Sequence, residues 1–336
     1  RAPVGRKMSQ TPIRERLRPS FGRRRGRPAG IVCAALIGTL LTSRIPTAEG
    51  QVSPVAIPQS AATPISVNGS RPSEPLLRQA ATAVESQPSL RAMLRLKAQI
   101  LDNELVGSGL YLQQGRGVEM LTRLELRLQT GDEATGLLRI NDGRYVWTDR
   151  RSGSQRWVTS VDLRRLREAG QGGEGGVEQS IATDVAAPQF ELVGGLTDLL
   201  NSLEATFQFG DPQPHRIGKL PVYQLTGTWR PFMLARFLPD QADAILAGQP
   251  ANLDALPAHI PTEVVLLLGH DNLFPYVIDY RRDRHRSLLR IEWYEIQFGG
   301  AIDPKRFVFH SRGEGAKDIT DQVIQRRVAL RRMERK

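Results

Sequence analysis

The sequence has almost no cysteine, since Cys33 is the only one among its 336 residues. It lies inside the apolar stretch 31–42, which we expect to be removed on export. The mature chain would then have no disulfide, no thiolate metal site and no cysteine nucleophile. Lipidation of Cys33 is not expected, because Ile31 and Val32 precede it where a lipoprotein signal normally has a small residue.

Motifs for catalysis and metal binding are lacking as well. The five histidines are scattered, without the spacing that brings ligands together on one element. Gly218 and Lys219 are followed by Leu220 rather than by the Ser or Thr of a phosphate-binding loop. Residues 170–176 match a GxGxxG pattern, but a predicted helix precedes them instead of a strand, which favours a flexible loop. The sequence therefore predicts neither an enzyme nor a cofactor.

The positive charge is confined to one end of the chain. Of the net charge of +11, residues 1–30 contribute ten Lys and Arg side chains against Glu15 alone, whereas the remainder has 36 basic and 34 acidic residues. A protein that coats nucleic acid would be basic throughout, so no nucleic-acid partner is expected.

The N-terminal region has the layout of an export signal. Four arginines at positions 23–27 lead into the apolar stretch 31–42, which is shorter than the roughly 20 residues that span a bilayer. We predict a basic tail and cleaved signal peptide over 1–50, with an uncleaved inner-membrane anchor at 28–45 as the alternative. A proline-rich tether follows at 51–75, so the domain is expected in the periplasm or cell envelope.

The rest of the chain alternates with the period of two that is typical of β-strands. Apolar and polar side chains alternate over 90–100, 118–128, 274–281 and 287–298, with a bulge expected after Tyr294, where the apolar parity shifts. A strand is also predicted at 306–311 and a strand break at Gly107-Ser108-Gly109. Helices are predicted at 76–85, 161–169, 196–203 and 233–246, the last broken by Pro239. This order favours an α+β fold with one large, curved antiparallel sheet covered by a few helices.

Three segments carry a resemblance to a known family. They are Leu105-Val-Gly-Ser-Gly-Leu-Tyr-Leu-Gln113, the run from Leu137 to Trp147, and the strand from Phe274 to Arg281. Together they resemble the LolA/LolB-like superfamily of envelope lipoprotein carriers, in its divergent planctomycete-type members. The resemblance implies an open, incomplete β-barrel over residues 76–325, whose concave face encloses an apolar cavity for the acyl chains of lipids or lipoproteins. Residues 326–336 are a basic C-terminal tail.

Candidate cavity residues are the large apolar side chains of the alternating strands: Leu94, Leu96, Leu124, Leu126, Trp147, Tyr276, Trp293 and Phe307. The simpler interpretation is that these side chains form an ordinary core. A second basic group, Arg281, Arg282, Arg284 and Arg286, is predicted at a hairpin tip, where it is either solvated or docked on a membrane surface or on an acidic partner. Two functions stay open, a carrier of hydrophobic ligands and an envelope protein that binds a protein partner with the same sheet.

Overall fold

The computed structural model describes residues 76–100, 103–131, 133–171, 195–310 and 315–325. The predicted signal peptide or anchor, the tether and the basic C-terminal tail lie outside these ranges. So does the predicted loop 170–176, apart from its first two residues, which end a helix. Within the described part, no helix is long and apolar enough to cross a membrane.

The strands form one large open sheet. They are β1 (Ser89–Ile100), β2 (Asn103–Gln114), β3 (Leu121–Thr130), β4 (Glu133–Asn141), β5 (Tyr145–Ser152), β6 (Gln155–Asp162), β7 (Phe207–Phe209), β8 (Gln213–Ile217), β9 (Leu220–Trp229), β10 (Glu263–Gly269), β11 (Pro275–Asp283), β12 (Arg286–Phe298) and β13 (Lys317–Asp318). Their order is β13-β6-β5-β4-β3-β2-β1-β12-β11-β10-β9-β7, with β8 beside β9. All described pairs are antiparallel except β13 with β6. The predicted α+β class with an open, curved sheet is confirmed.

Helices cover one face of this sheet, here called the inner face. They are α1 (Leu76–Glu85), α2 (Leu163–Gln171), α3 (Gly195–Thr206), α4 (Pro231–Phe237) and α5 (Ala242–Leu246). Pro239 lies between α4 and α5 and starts a short 3-10 turn, as the predicted break requires. The apolar sides of α1, α3, α4 and α5 pack on the inner-face residues of β1, β2 and β9–β12 in one large core. The opposite face of the sheet is called the outer face.

The predicted bulge after Tyr294 is confirmed. Arg91 pairs with Gln297 but Met93 pairs with Tyr294, so β12 has one more residue than β1 across this interval. Glu295 absorbs the extra length in the left-handed region, at φ 49°. Because of the bulge, Ile296 and Phe298, which follow it, pack against the same core as Trp293, which precedes it.

Two local predictions are wrong. Residues 107–109 do not break a strand but lie inside β2, where a Cβ on Gly109 would collide with the carbonyl oxygen of Glu125 and with Leu126. Glycine is used there because the neighbouring strand fills the space. The strand predicted at 306–311 is also absent from its described residues, 306–310: Pro304–Phe307 is a 3-10 turn, started by the Asp303 carboxylate, which accepts a hydrogen bond from the Lys305 N–H at 3.0 Å.

Candidate functional site

A single cross-strand row connects the candidate residues on the inner face. Residues paired directly across antiparallel strands point to the same side of a sheet. The pairs define the inner row Trp293, Leu94, Gly109, Leu126, Leu137, Arg150 and Trp157, which runs from β12 to β6. Of the candidates, Leu94, Leu126 and Trp293 lie in this row, and Leu96 and Leu124 lie in the rows on either side of it.

The β12 half of the inner row is closed. Leu94, Leu96, Leu126 and Trp293 are all buried in the large core under the helices. The Trp293 ring packs edge-on against Tyr111 and Phe274, with centroids 5.7 and 6.2 Å apart. Its indole N–H is buried without a hydrogen-bond partner among the described residues. As it stands, this half is packed core, and a ligand would have to displace helices to enter it.

A buried polar link holds two of those helices to the sheet. The Tyr111 hydroxyl donates to Oε1 of Gln113 at 2.9 Å and accepts from the backbone N–H of Leu196, in the first turn of α3, at 3.1 Å. The Gln113 amide donates to the carbonyl of Val84, near the end of α1, at 3.3 Å. Burial raises the pKa of Tyr111 far above its ordinary value, so the hydroxyl stays neutral.

Among the described residues, the β6 half of the inner row is open. Trp157 is 42% exposed and Arg150 is half-buried; Arg150 pairs with Leu137 on one side and with Trp157 on the other. Arg150 makes no ion pair with any described residue. Leu124, in the next row, is only partly buried. The arrangement places an exposed aromatic ring and a cation at the end of a row of leucines, which suits an amphiphile with an anionic head.

Two of the eight candidates lie on the wrong face for a shared cavity. Trp147 pairs with Ile140 and Ser160 and so points to the outer face, where its ring stacks on Phe309 with centroids 5.1 Å apart. Phe307 belongs to the turn that crosses the outer face, as the contact of Arg123 Nη1 with the carbonyl of Arg306 shows. Tyr276 lies at a bulge between β10 and β11 and touches apolar clusters of both faces.

Sequence reasoning missed Trp157. Its strand lacks an apolar alternation, because Thr159 stands between it and Val161. Only the pairing of β5 with β6 shows that Val161, Thr159 and Trp157 share the inner face.

The predicted basic hairpin is largely engaged in the fold. Arg282 donates to several backbone carbonyls of the segment before β10, including those of Leu253, Leu256 and Ile260 at 3.1–3.2 Å. Arg281 pairs with the buried carboxylate of Asp279 at 2.8 Å. Arg284 and Arg286 are exposed at the tip. Docking on a membrane surface stays a prediction, and these last two arginines are the ones available for it.

Among the described residues, no group of three or more His, Cys, Asp or Glu side chains is placed to hold a metal ion.

Comparisons with solved structures find distant neighbours. One is the MucA/MucB complex of Pseudomonas aeruginosa, at 11% identity and a TM-score of 0.35 over 70% of this chain and 60% of that one. A DUF1329 family protein from Desulfovibrio piger aligns at 9% identity and a TM-score of 0.29, covering 69% of this chain and 94% of its own. A putative outer membrane lipoprotein-sorting protein domain from Vibrio parahaemolyticus has 11% identity and a TM-score of 0.23 over 69% and 94%.

At these identities and TM-scores the neighbours identify neither a family nor a ligand for this chain. The chain spans less than two thirds of the MucB chain to which it aligns. No family model matches the sequence, and neither does any curated protein.

Proposed function

We propose that this is an exported, non-enzymatic envelope protein that binds the acyl chain of a lipid or lipoprotein on the inner face of its sheet. The observation that carries the proposal is the open half of the inner row, where the exposed Trp157 adjoins Arg150 and Arg150 adjoins Leu137. The export segment at 31–42 supports a periplasmic or envelope location, and the lack of catalytic motifs supports a binding role.

The open half has the dimensions and chemistry of an amphiphile site. From Trp157 on β6 to Leu137 on β4 the row crosses two strand spacings, about 10 Å. Each methylene buried there contributes about 0.8 kcal/mol, so a chain of several methylenes is needed to offset the cost of immobilisation. In this proposal Arg150 receives the carboxylate or phosphate of the head group, while Trp157 covers the first part of the chain.

Displacement of a fluorescent fatty acid from the full chain tests the proposal. Trp157→Arg should weaken binding about tenfold, because it removes a large apolar contact and places a charged side chain against the acyl chain. The matched control is Val118→Arg, which changes a 70% exposed apolar residue outside the sheet. Neither change should alter the thermal unfolding midpoint much, since both side chains are exposed.

Two results would contradict this function. The first is a wild-type protein that binds no amphiphile at micromolar concentration. The second is equal binding by the Trp157→Arg and Val118→Arg variants, which would place any bound lipid elsewhere, for instance on the basic N-terminal tail.

A further inference from the structure

The outer face carries a second cross-strand row, in which arginines alternate with small residues. Successive pairs place Arg95, Ser108, Arg127, Gly136, Arg151 and Arg156 side by side from β1 to β6. We call its four basic members, Arg95, Arg127, Arg151 and Arg156, the arginine row. It lies on the side of the sheet opposite to the proposed lipid site and is independent of that function.

The surface is lower between the side chains of the arginine row, because the small residues Ser108 and Gly136 lie between the arginines. The space above Gly136 is open: a Cβ added there would meet nothing closer than Arg151 Cβ at 3.9 Å. Residues 304–309 cross the same face beside the row. Arg306 contacts Glu125 on β3 at 3.7 Å, and Phe309 stacks on Trp147 of β5. This segment therefore runs across the strands, parallel to the arginine row, and forms one wall of a shallow groove.

The groove has an uncompensated positive charge. Asp149, in the neighbouring row, is 2% exposed and accepts hydrogen bonds from both Arg151 and Arg156 at 2.9 Å. Arg127 is exposed and makes no ion pair among the described residues. Arg95 stacks over the ring of Tyr294 at 4.9 Å and also makes no ion pair with a described residue. Two arginines of the row therefore share one carboxylate, and the other two have none.

The carboxylate that could neutralise Arg95 is already engaged. Glu292 pairs with Arg95 across the strands, but its Oε1 accepts from Nε of Arg290 at 2.7 Å. Arg290 is in turn bound to Asp279 at 3.1 Å. Among the described residues, the carboxylates beside the row are therefore already paired, which favours an anion from another molecule.

We propose that the groove binds an extended, acidic segment of a protein partner. Arg95, Arg127 and Arg151 lie on alternate strands, so their backbones are about 10 Å apart. A chain in the extended polyproline II conformation has three residues per turn and rises about 3.1 Å per residue, so carboxylates at every third position lie on one side, about 9 Å apart, which is close to this spacing. A flexible chain can also follow the curved outer face, whereas a flat bilayer would touch only the middle of the row.

The probe is a fluorescein-labelled peptide with glutamate at every third position, added to the full chain, with a glutamine-substituted peptide for comparison. Arg127→Ser should weaken binding of the glutamate peptide about fivefold, the upper range for one exposed charge pair. Arg91→Ser is the matched control: it removes an exposed arginine that has no ion pair among the described residues and lies on the same face, but in the cross-strand row that residues 304–309 contact rather than in the arginine row. It should leave affinity nearly unchanged, and photo-crosslinks from the peptide should fall on residues 304–309.

Three outcomes would overturn the inference. Equal binding of the glutamate and glutamine peptides would remove the role of charge. Equal loss in the Arg127→Ser and Arg91→Ser variants, or crosslinks confined to residues 1–30, would show non-specific attraction. Arg127-dependent binding to vesicles of anionic phospholipid, without binding of the peptide, would assign the row to a membrane instead.

Discussion

Replacing Tyr111 by Phe tests whether the buried polar link holds α1 and α3 on the sheet. The change removes one oxygen, which leaves the Leu196 N–H without its acceptor and Gln113 Oε1 without its donor, both inside the core. A buried polar group left without a hydrogen-bond partner costs about 1–3 kcal/mol. The Leu196 N–H lies in the first turn of a helix, where water can replace the lost acceptor most easily, so its share of the cost should be small. We therefore expect a loss of about 2 kcal/mol in the free energy of unfolding, or about 4–8 °C in Tm.

Thermal and urea unfolding of the Tyr111→Phe and Tyr294→Phe variants measure this loss. Tyr294 lies on the outer face beneath Arg95 and makes no hydroxyl hydrogen bond among the described residues, so its variant should unfold like the wild type. Because folding raises the pKa of Tyr111, wild-type stability should also fall as pH rises above about 10, where the unfolded tyrosine ionises and the folded one does not. The Tyr111→Phe variant should lack that part of the alkaline loss. Equal stability of the two variants at neutral pH would show that the Tyr111 hydroxyl does not hold α1 and α3 on the sheet.

Three further predictions concern the fold. Burial opposes ionisation of Asp149, but hydrogen bonds from two arginines outweigh burial and lower the pKa of its carboxyl group. The stability that the ionised carboxylate confers should therefore disappear as pH falls below about 4. Asp149→Asn should lower the free energy of unfolding in urea by about 2 kcal/mol and should lack that acid dependence. Gly109→Ala should destabilise the fold by about 2 kcal/mol or more, because the added methyl group would collide with β3. Gly136→Ala, which has open space above it, should unfold like the wild type. Equal melting points of the two variants would contradict the tight approach of β2 and β3 at Gly109. Arg282→Gln should loosen the segment before β10 and make it sensitive to limited proteolysis, an effect that Arg284→Gln should not reproduce.

The sheet could be predicted from the sequence because its central strands alternate strictly. In β1 and β12, polar side chains face outward between apolar ones, so both the strands and the bulge after Tyr294 follow from parity alone. The inner face of these strands was also predictable, since Leu94 and Trp293 have the parity of the buried positions. The alternation is informative here because only one face of these strands is covered by helices.

Parity could not identify the face of β5, because both sides of that strand are covered. Val146 packs with α2, whereas Trp147 is covered by Phe309 on the outer face. The alternation in β5 therefore does not distinguish the inner from the outer face. This is why the sequence predicts Trp147 in the inner cavity, whereas the structure has it on the outer face. The glycines of β2 were misjudged for a related reason, since glycine marks a strand break and a close approach of neighbouring side chains equally well.

Native mass spectrometry of the full chain purified from the cell envelope is the most direct test of the proposed acyl-chain binding. We expect a bound species with the mass of an acyl lipid or lipoprotein fragment. That species should be present in the wild type and the Val118→Arg variant and largely lost from the Trp157→Arg variant. A wild-type spectrum with the mass of the protein alone, and no fatty acid in its organic extract, would show that the protein carries no acyl chain.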